Sequence, residues 1–95
     1  MHTLIVGGDY IDGLVDELAG LGLGRVEHWG GRKVRDLNRT IPADMDLVVV
    51  LFDYVSHNLL RKVRAEARRQ GLPLIYSRRS AGELRRKIGG LRKSG

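Results

Sequence analysis

The apolar run Leu47–Phe52, which lies between Asp46 and Asp53, constrains the fold of this chain more than any other stretch. The run is short, rich in β-branched valine and free of any polar alternation. A strand with one solvated face alternates, whereas a strand covered on both faces, as in a parallel sheet flanked by helices, is apolar throughout. We therefore expect a buried strand in the interior of a parallel sheet.

Three further strands are predicted from shorter stretches, at Thr3–Val6, Arg25–Trp29 and Pro73–Tyr76. Arg25–Trp29 is the most polar of them, so we expect it at an edge of the sheet. The alternation of strands and helices predicts an α/β fold with a small four-stranded parallel sheet, Rossmann- or flavodoxin-like, in the strand order 2-1-3-4 with helices on both faces. Residues 1–95 are expected to form a single domain.

Four helices are predicted from apolar residues at helical spacing. The third has candidate caps at both ends, Ser56 or Asn58 at its start and Gly71 at its end. The last begins with the capping-box pattern Ser80–Glu83, in which the hydroxyl and the carboxylate bind each other's free amides. The first helix is expected from about Tyr10 to Leu21, with Asp9 as its cap, and the second around Val34, Leu37 and Ile41 as far as Pro42. The third is expected after Asn58 and ends at Gly71. The fourth is expected after Ser80, with Leu84, Ile88 and Leu91 on its apolar side.

Charge and composition limit the classes of function. The net charge of +6 favours anionic partners, such as nucleic acid, phosphates or carboxylates. Basic residues cluster at Arg61–Arg69, Arg78–Arg79 and Arg85–Lys93, but solvated helix faces explain them more simply, and the lack of interleaved aromatic residues argues against single-strand binding. The sequence has no cysteine, no run long enough to span a membrane and no signal-peptide pattern, so we expect a cytoplasmic protein without a membrane partner.

A binding crevice is expected where the winding of the sheet reverses, between the first and third strands and beyond their carboxyl ends. The loops Gly7–Asp9 and Asp53–Asn58 meet there, with Ser77–Ser80 beside them. Gly7 and Gly8 would allow a ligand to approach main-chain amides, although a tight turn that needs glycine is an equally good explanation.

Arg78, Arg79 and Ser80 stand at the predicted start of the last helix. Guanidinium groups beside free helix amides suit a carboxylate or a phosphate, so a small anionic ligand is predicted here. Simple exposure to solvent is the alternative.

His57 is the most informative single residue, because it lies at a predicted helix start beside the crevice. A helix N-terminus favours neutral imidazole, which is the form that a metal or haem iron binds. The alternative for His57 is a hydrogen bond to the loop and no further role. His28, near the end of the edge strand, is a second candidate ligand. Tyr10, Tyr54 and Tyr76 lie near predicted strand–helix junctions and are candidates for iron binding, with packing as the default.

Asp53 follows the central strand, where receiver domains carry a phosphoryl-accepting aspartate. Asp9 and Ser77 match two further positions of that site, but the predicted fold has no fifth strand and no corresponding lysine. Asp53 is better explained as a residue that caps the turn or orients His57. Because no nucleophile, base and oxyanion site occur together, an enzyme is the less favoured class.

Four blocks of the sequence together resemble the DUF2325 family of small bacterial domains, and the resemblance covers nearly the whole chain. They are Leu4–Asp9, His28–Arg32, Asp46–Asp53 followed by Val55–Asn58, and Pro73–Ile75 with Ser77–Ser80. Members of the family often have a second histidine or another residue where Trp29 stands, which puts a paired-histidine role at that place in doubt.

The resemblance implies a cytosolic bacterial protein with a Rossmann-like fold and, for some members, bound b-type haem. Carried over to this chain, it implies His57 as an axial ligand, His28 as a second ligand or one from a partner chain, and arginines for the propionates. Haem is large for a domain of this size, so a site shared within a homodimer is expected.

Two functions therefore compete from the sequence. The first is a non-enzymatic haem-binding domain for sensing, storage or transfer, with His57 and His28 as metal ligands and Arg78, Arg79, Gly7, Gly8 and Ser80 around the cofactor. The second is a basic module that binds a nucleotide or nucleic acid at the same crevice.

Overall fold

The computed structural model describes residues 1–8, 10–18, 20–30 and 40–93. Four strands form one all-parallel sheet in the order β2-β1-β3-β4, which confirms the predicted topology. The edge position predicted for Arg25–Trp29 is confirmed as well. The strands are β1, His2–Val6; β2, Arg25–Trp29; β3, Leu47–Leu51; and β4, Leu74–Ser77.

Three α-helices connect and follow these strands: α1, Asp12–Glu17; α2, His57–Gln70; and α3, Ala81–Lys93. A 3-10 turn at Phe52–Tyr54 joins β3 to the segment before α2. The helix predicted around Val34 and Leu37, and the cap predicted at Asp9, fall outside the described residues.

Two predicted boundaries are wrong, and glycine and strand geometry explain them. The helix expected from Tyr10 to Leu21 is only six residues long, because Gly20 and Gly22 adopt positive φ angles of 97° and 73° that interrupt a right-handed helix. The strand β3 ends at Leu51, since the chain turns into the 3-10 conformation at Phe52.

β3 is buried along its whole length, as its apolar run predicts. Because side chains alternate across a strand, Leu47, Val49 and Leu51 pack toward α1 and α3, whereas Val48 and Val50 pack toward α2. The two layers place the core on both faces of the sheet, and β3 runs through its centre.

α2 has the apolar stripe and the caps that its sequence predicts. Leu59, Val63 and Ala67 are buried against the sheet. The Ser56 hydroxyl accepts a hydrogen bond from the Leu59 amide at 3.2 Å, and Gly71 ends the helix in the left-handed conformation with a φ of 69°. Ser56, not Asn58, is therefore the N-cap.

The capping box of α3 forms only in part. The Ser80 hydroxyl accepts from the Glu83 amide at 3.3 Å, as predicted. The Glu83 carboxylate, however, accepts from the Arg78 amide at 2.7 Å and the Ser77 hydroxyl at 3.1 Å, and so reaches past Ser80. The Arg78 amide is the main cause that lowers the pKa of Glu83 from its ordinary value of 4.5. Leu91, expected on the apolar side, is 37% exposed.

α2 also holds the segment that leads into β3. The buried Glu66 carboxylate accepts from the Ile41 amide at 2.8 Å, and the Gln70 amide group donates to the Ile41 carbonyl at 3.0 Å. Both main-chain groups of Ile41 are thereby satisfied while its side chain enters the core on the α2 face.

Gly24 allows the first residue to pass close to the start of β2. The Arg25 amide donates to the Met1 carbonyl at 3.0 Å. Gly24 has a φ of +67°, and a Cβ built on it would overlap the carbonyl oxygen of Met1. Glycine is required here on both counts.

Candidate functional site

The carboxyl ends of β1, β3 and β4 lie at the same end of the sheet, called the carboxyl edge below. The loops predicted to form the crevice therefore follow neighbouring strands. The first is the turn at Gly7 and Gly8, whose φ angles of 110° and 78° favour glycine. Gly7 uses both main-chain groups within the fold, since its amide donates to Trp29 O at 2.8 Å and its carbonyl is bound by His28. Gly7 thus joins β1 to the edge strand and has no free amide to offer a ligand.

His28 lies on the α1 side of the sheet, in a cleft of about 350 Å³ that it shares with Tyr10, Asp12 and Asp16. Its Nε2 atom is 2.8 Å from the Gly7 carbonyl oxygen. A carbonyl only accepts, so Nε2 carries a proton and Nδ1 keeps the lone pair in the neutral ring. His28 therefore holds the loop after β1 through this hydrogen bond.

His57 is the first residue of α2, and it is exposed. α2 packs on the face of the sheet opposite to α1, so the layers that carry His57 and His28 are different. The described residues that line the cleft of His28 do not include His57.

Two aromatic side chains are exposed at this edge of the sheet. Tyr10 follows β1 and is 86% exposed, and Phe52 follows β3 and is 38% exposed. From the sequence, Tyr10 is predicted to pack and Phe52 to lie in the buried strand, so this apolar surface was not predicted. The only sign that the buried strand ends near Phe52 is Asp53, the polar residue directly after it.

The loop after β4 brings basic groups to the same edge. Arg78 and Arg79 are exposed, and the Arg79 guanidinium donates to the Tyr10 carbonyl, which links this loop to the one after β1. Ser80 is exposed and caps α3 through its hydroxyl. The Arg78 amide is held by Glu83, whereas its charged side chain is directed to solvent.

The described residues at this end of the sheet include a further acidic group and no cluster that could hold a metal ion. Asp53 lies exposed in the 3-10 turn. Across residues 1–8, 10–18, 20–30 and 40–93, no three His, Asp or Glu side chains are close enough to hold a metal ion by themselves. None of the helices in that part of the chain has both the length and the hydrophobicity needed to cross a bilayer.

Comparison with known proteins adds the family. A family model described as an uncharacterized protein conserved in bacteria (DUF2325) matches residues 2–91. No curated protein matches the sequence. Since the match covers nearly all of the 95 residues, from β1 through most of α3, the chain belongs to the DUF2325 family.

Proposed function

We propose that this protein binds b-type haem without catalysing a reaction, in haem sensing, storage or transfer. The observation that carries the proposal is the carboxyl edge of the sheet, where His57, Phe52, Tyr10 and Arg78 are all exposed. Exposed aromatic side chains at one end of a sheet often mark a surface that a ligand covers.

The residues at this edge fit the chemistry of haem. Bound haem supplies an iron that accepts imidazole nitrogen, a flat apolar ring and two carboxylates. His57 supplies the nitrogen, Phe52 and Tyr10 supply apolar contact, and Arg78 supplies a guanidinium for a carboxylate. His57 is the first residue of α2, directly after the Ser56 N-cap.

His28 is less well suited than His57 to be an axial ligand. Its Nε2 faces the Gly7 carbonyl, so the nitrogen left for iron is Nδ1. Nδ1 adjoins the ring carbon that bears Cβ, and a porphyrin plane that approached it would meet Cβ and the main chain. We therefore assign ligation to His57 and keep His28 as a residue that orients the loop after β1.

A homodimer completes the proposed site. One sheet edge can cover one face of a porphyrin, which leaves the other face and the second axial position open. A second copy related by a two-fold axis would place its own His57 and its own aromatic residues on that face. The net charge of +6 per chain makes the two carboxylates of the ligand favourable between the copies.

Titration of the purified protein with haemin, followed by absorption, tests the proposal. We expect a sharp Soret band that saturates at a fixed ratio of haem to protein, and a dimer in analytical ultracentrifugation of the loaded protein. His57→Ala should lose the band. The matched control is His2→Ala, which removes a histidine at the opposite end of the sheet and should leave the band unchanged.

Two results would overturn the assignment. A broad spectrum like that of free haemin in the unmodified protein would remove haem as the ligand. An unchanged band in His57→Ala, together with its loss in His28→Ala, would transfer ligation to His28.

A second candidate, a nucleotide- or nucleic-acid-binding module, is favoured by the exposed Arg78 beside the two exposed aromatic rings, which suits phosphate and base together. Ionic strength separates the two functions. Binding to a phosphate backbone weakens steeply as salt is raised, because counterions compete. Ligation of iron by His57 does not, so a salt series on both ligands distinguishes them.

A further inference from the structure

The outer edge of β4 has no neighbouring strand in the described part of the chain. The Val48 amide donates to the Pro73 carbonyl at 3.0 Å, so by the alternation of a parallel ladder residues 73, 75 and 77 turn their main-chain groups toward β3. Leu74 and Tyr76 turn theirs outward. The Tyr76 carbonyl accepts from Lys87 Nζ at 2.5 Å, which agrees with this outward orientation.

A groove of about 470 Å³ runs beside this edge, on the α2 side of the sheet. Its floor is largely apolar and half-buried, and its rim is formed by two arginines one turn apart on α2. The floor residues are Ala67, Leu72, Leu74 and Tyr76, and the rim residues are Arg64 and Arg68. None of them belongs to the carboxyl-edge site.

The charge on the groove has a single sign. None of its lining residues is acidic. The one carboxylate on α2, that of Glu66, is 7% exposed and binds the Ile41 amide on the other side of the helix. Arg61 lines a neighbouring cleft together with Arg64 and Arg68 and adds to the positive potential. An occupant must therefore be acidic, and a second copy of this chain, which would bring the same arginines to its own edge, is disfavoured.

The aromatic ring in the groove, that of Tyr76, is already in contact with Arg64. Arg64 Nε donates to the Tyr76 hydroxyl at 2.9 Å, and the guanidinium carbon lies 5.7 Å from the ring centroid. A nucleic-acid base would need that ring face for stacking. An extended peptide needs the outward main-chain groups of β4 and not this ring face, so the groove favours a peptide over a single-stranded nucleic acid.

We propose that β4 accepts an added strand from a partner protein, an extended segment in which acidic and apolar residues alternate. Main-chain hydrogen bonds to both groups of Leu74 and to the Tyr76 amide hold the segment, since Lys87 already binds the Tyr76 carbonyl. Its acidic side chains face Arg64 and Arg68, and its apolar side chains extend the row formed by Ile75.

The probe is a capped octapeptide of alternating Glu and Val, labelled for fluorescence anisotropy and titrated into the full chain. Two probes of equal or similar charge accompany it. An alternating Glu and Pro octapeptide keeps the carboxylates but cannot form a strand ladder. A thymidine pentanucleotide, whose four phosphates match the four carboxylates of the peptide, tests nucleic acid at the same surface. Amide chemical shifts of Leu74 and Tyr76 report where the peptide binds.

The variant Arg68→Glu tests the rim, and Arg69→Glu is its matched control, with the same charge change at an exposed neighbour that does not line the groove. We expect the Glu–Val peptide to bind, to shift the two amides and to lose about tenfold in affinity in Arg68→Glu, because reversal replaces attraction by repulsion. Arg69→Glu should lose much less. Circular dichroism checks that both variants fold.

Three outcomes would overturn the proposal. They are equal binding of the Glu–Val and Glu–Pro peptides, equal losses in the two variants, and binding of the oligonucleotide at Leu74 and Tyr76 without binding of the Glu–Val peptide. The last would assign the groove to nucleic acid.

Discussion

At the amino end of the sheet, polar groups of different strands bind one another, whereas at the carboxyl end several of them face solvent. The His2 amide donates to the Asp46 carboxylate at 2.7 Å, and the Asp46 amide returns a bond to His2 O at 2.7 Å. The Thr3 hydroxyl, fully buried, donates to Leu23 O at 2.9 Å. Each of these bonds joins β1 to another part of the sheet.

At the carboxyl end, His57, Arg78, Phe52 and Tyr10 expose their side chains. Other polar groups at this end do bind one another: Glu83 holds the loop after β4, His28 binds the Gly7 carbonyl, and Arg79 donates to the Tyr10 carbonyl. The comparison teaches that similar residue types assemble the sheet at one end and stay available for a ligand at the other. Substitutions at the two ends should therefore act on different measurements, stability at the first and binding at the second.

The largest effect is expected from Gly24→Ala at the amino end. Alanine at position 24 must adopt a left-handed backbone conformation, and its Cβ overlaps the Met1 carbonyl. We therefore expect a loss of about 3 kcal/mol in the free energy of unfolding. Gly71→Ala is the control, because Gly71 has nearly the same φ, +69°, with nothing within 4 Å of the added Cβ. It should lose only about 1 kcal/mol. Urea unfolding measures both, and equal losses would refute the overlap.

A smaller loss is expected from Glu66→Ala, which leaves the Ile41 amide without its acceptor. A buried donor without a partner costs about 1–3 kcal/mol. Glu66→Gln keeps an acceptor oxygen and should retain most of the stability. Hydrogen exchange at the Ile41 amide should accelerate in the alanine variant alone, and similar exchange in both variants would contradict the role of this carboxylate.

Glu83 should make stability depend on pH in the acid range. The Arg78 amide lowers the pKa of Glu83 below 4.5 in the folded chain, so the unfolded chain binds the proton more readily. The contribution is present above that ordinary value and is lost as the pH falls through the folded pKa. Urea midpoints from pH 6 to pH 3 should fall less in Glu83→Gln than in the unmodified chain. Parallel curves would show that this carboxylate does not contribute.

The smallest effect on stability is expected from His57→Ala and Arg78→Ala at the carboxyl end. Their side chains are exposed, so each should change the free energy of unfolding by less than about 0.5 kcal/mol. Thermal and urea unfolding without ligand measure this. A large loss in either variant would mean that the carboxyl end, too, is built for stability, and the contrast between the ends would disappear.

The sheet could be predicted because its signal is local. The run Leu47–Leu51 contains no polar residue, so it predicts a strand buried on both faces. The more polar β2 predicts a strand at the outer edge of the sheet. The length of α1 was misjudged because apolar spacing continues to Leu21, while the positive φ angles of the glycines end the helix earlier.

For the candidate site, the sequence predicted the position of its residues in the fold but not the hydrogen bonds that they form. His57, Arg78 and Arg79 lie at the carboxyl edge, as strand order requires. The Nε2 bond of His28 joins residues 21 positions apart, and no local pattern records it. The reach of the Glu83 carboxylate to Arg78, past its expected partner, likewise depends on how β4 enters α3.

The placement of β1 between β2 and β3 has a consequence for biosynthesis. β1 is made first, yet its contact with the start of β3 joins His2 to Asp46, 44 residues later. Until then the growing chain can pair only β1 with β2, and a two-stranded ribbon is marginal in water. Distant pairings must close a long loop before they gain stability. The nascent protein therefore stays unfolded until β3 has left the ribosome, and α2 closes over it soon afterwards.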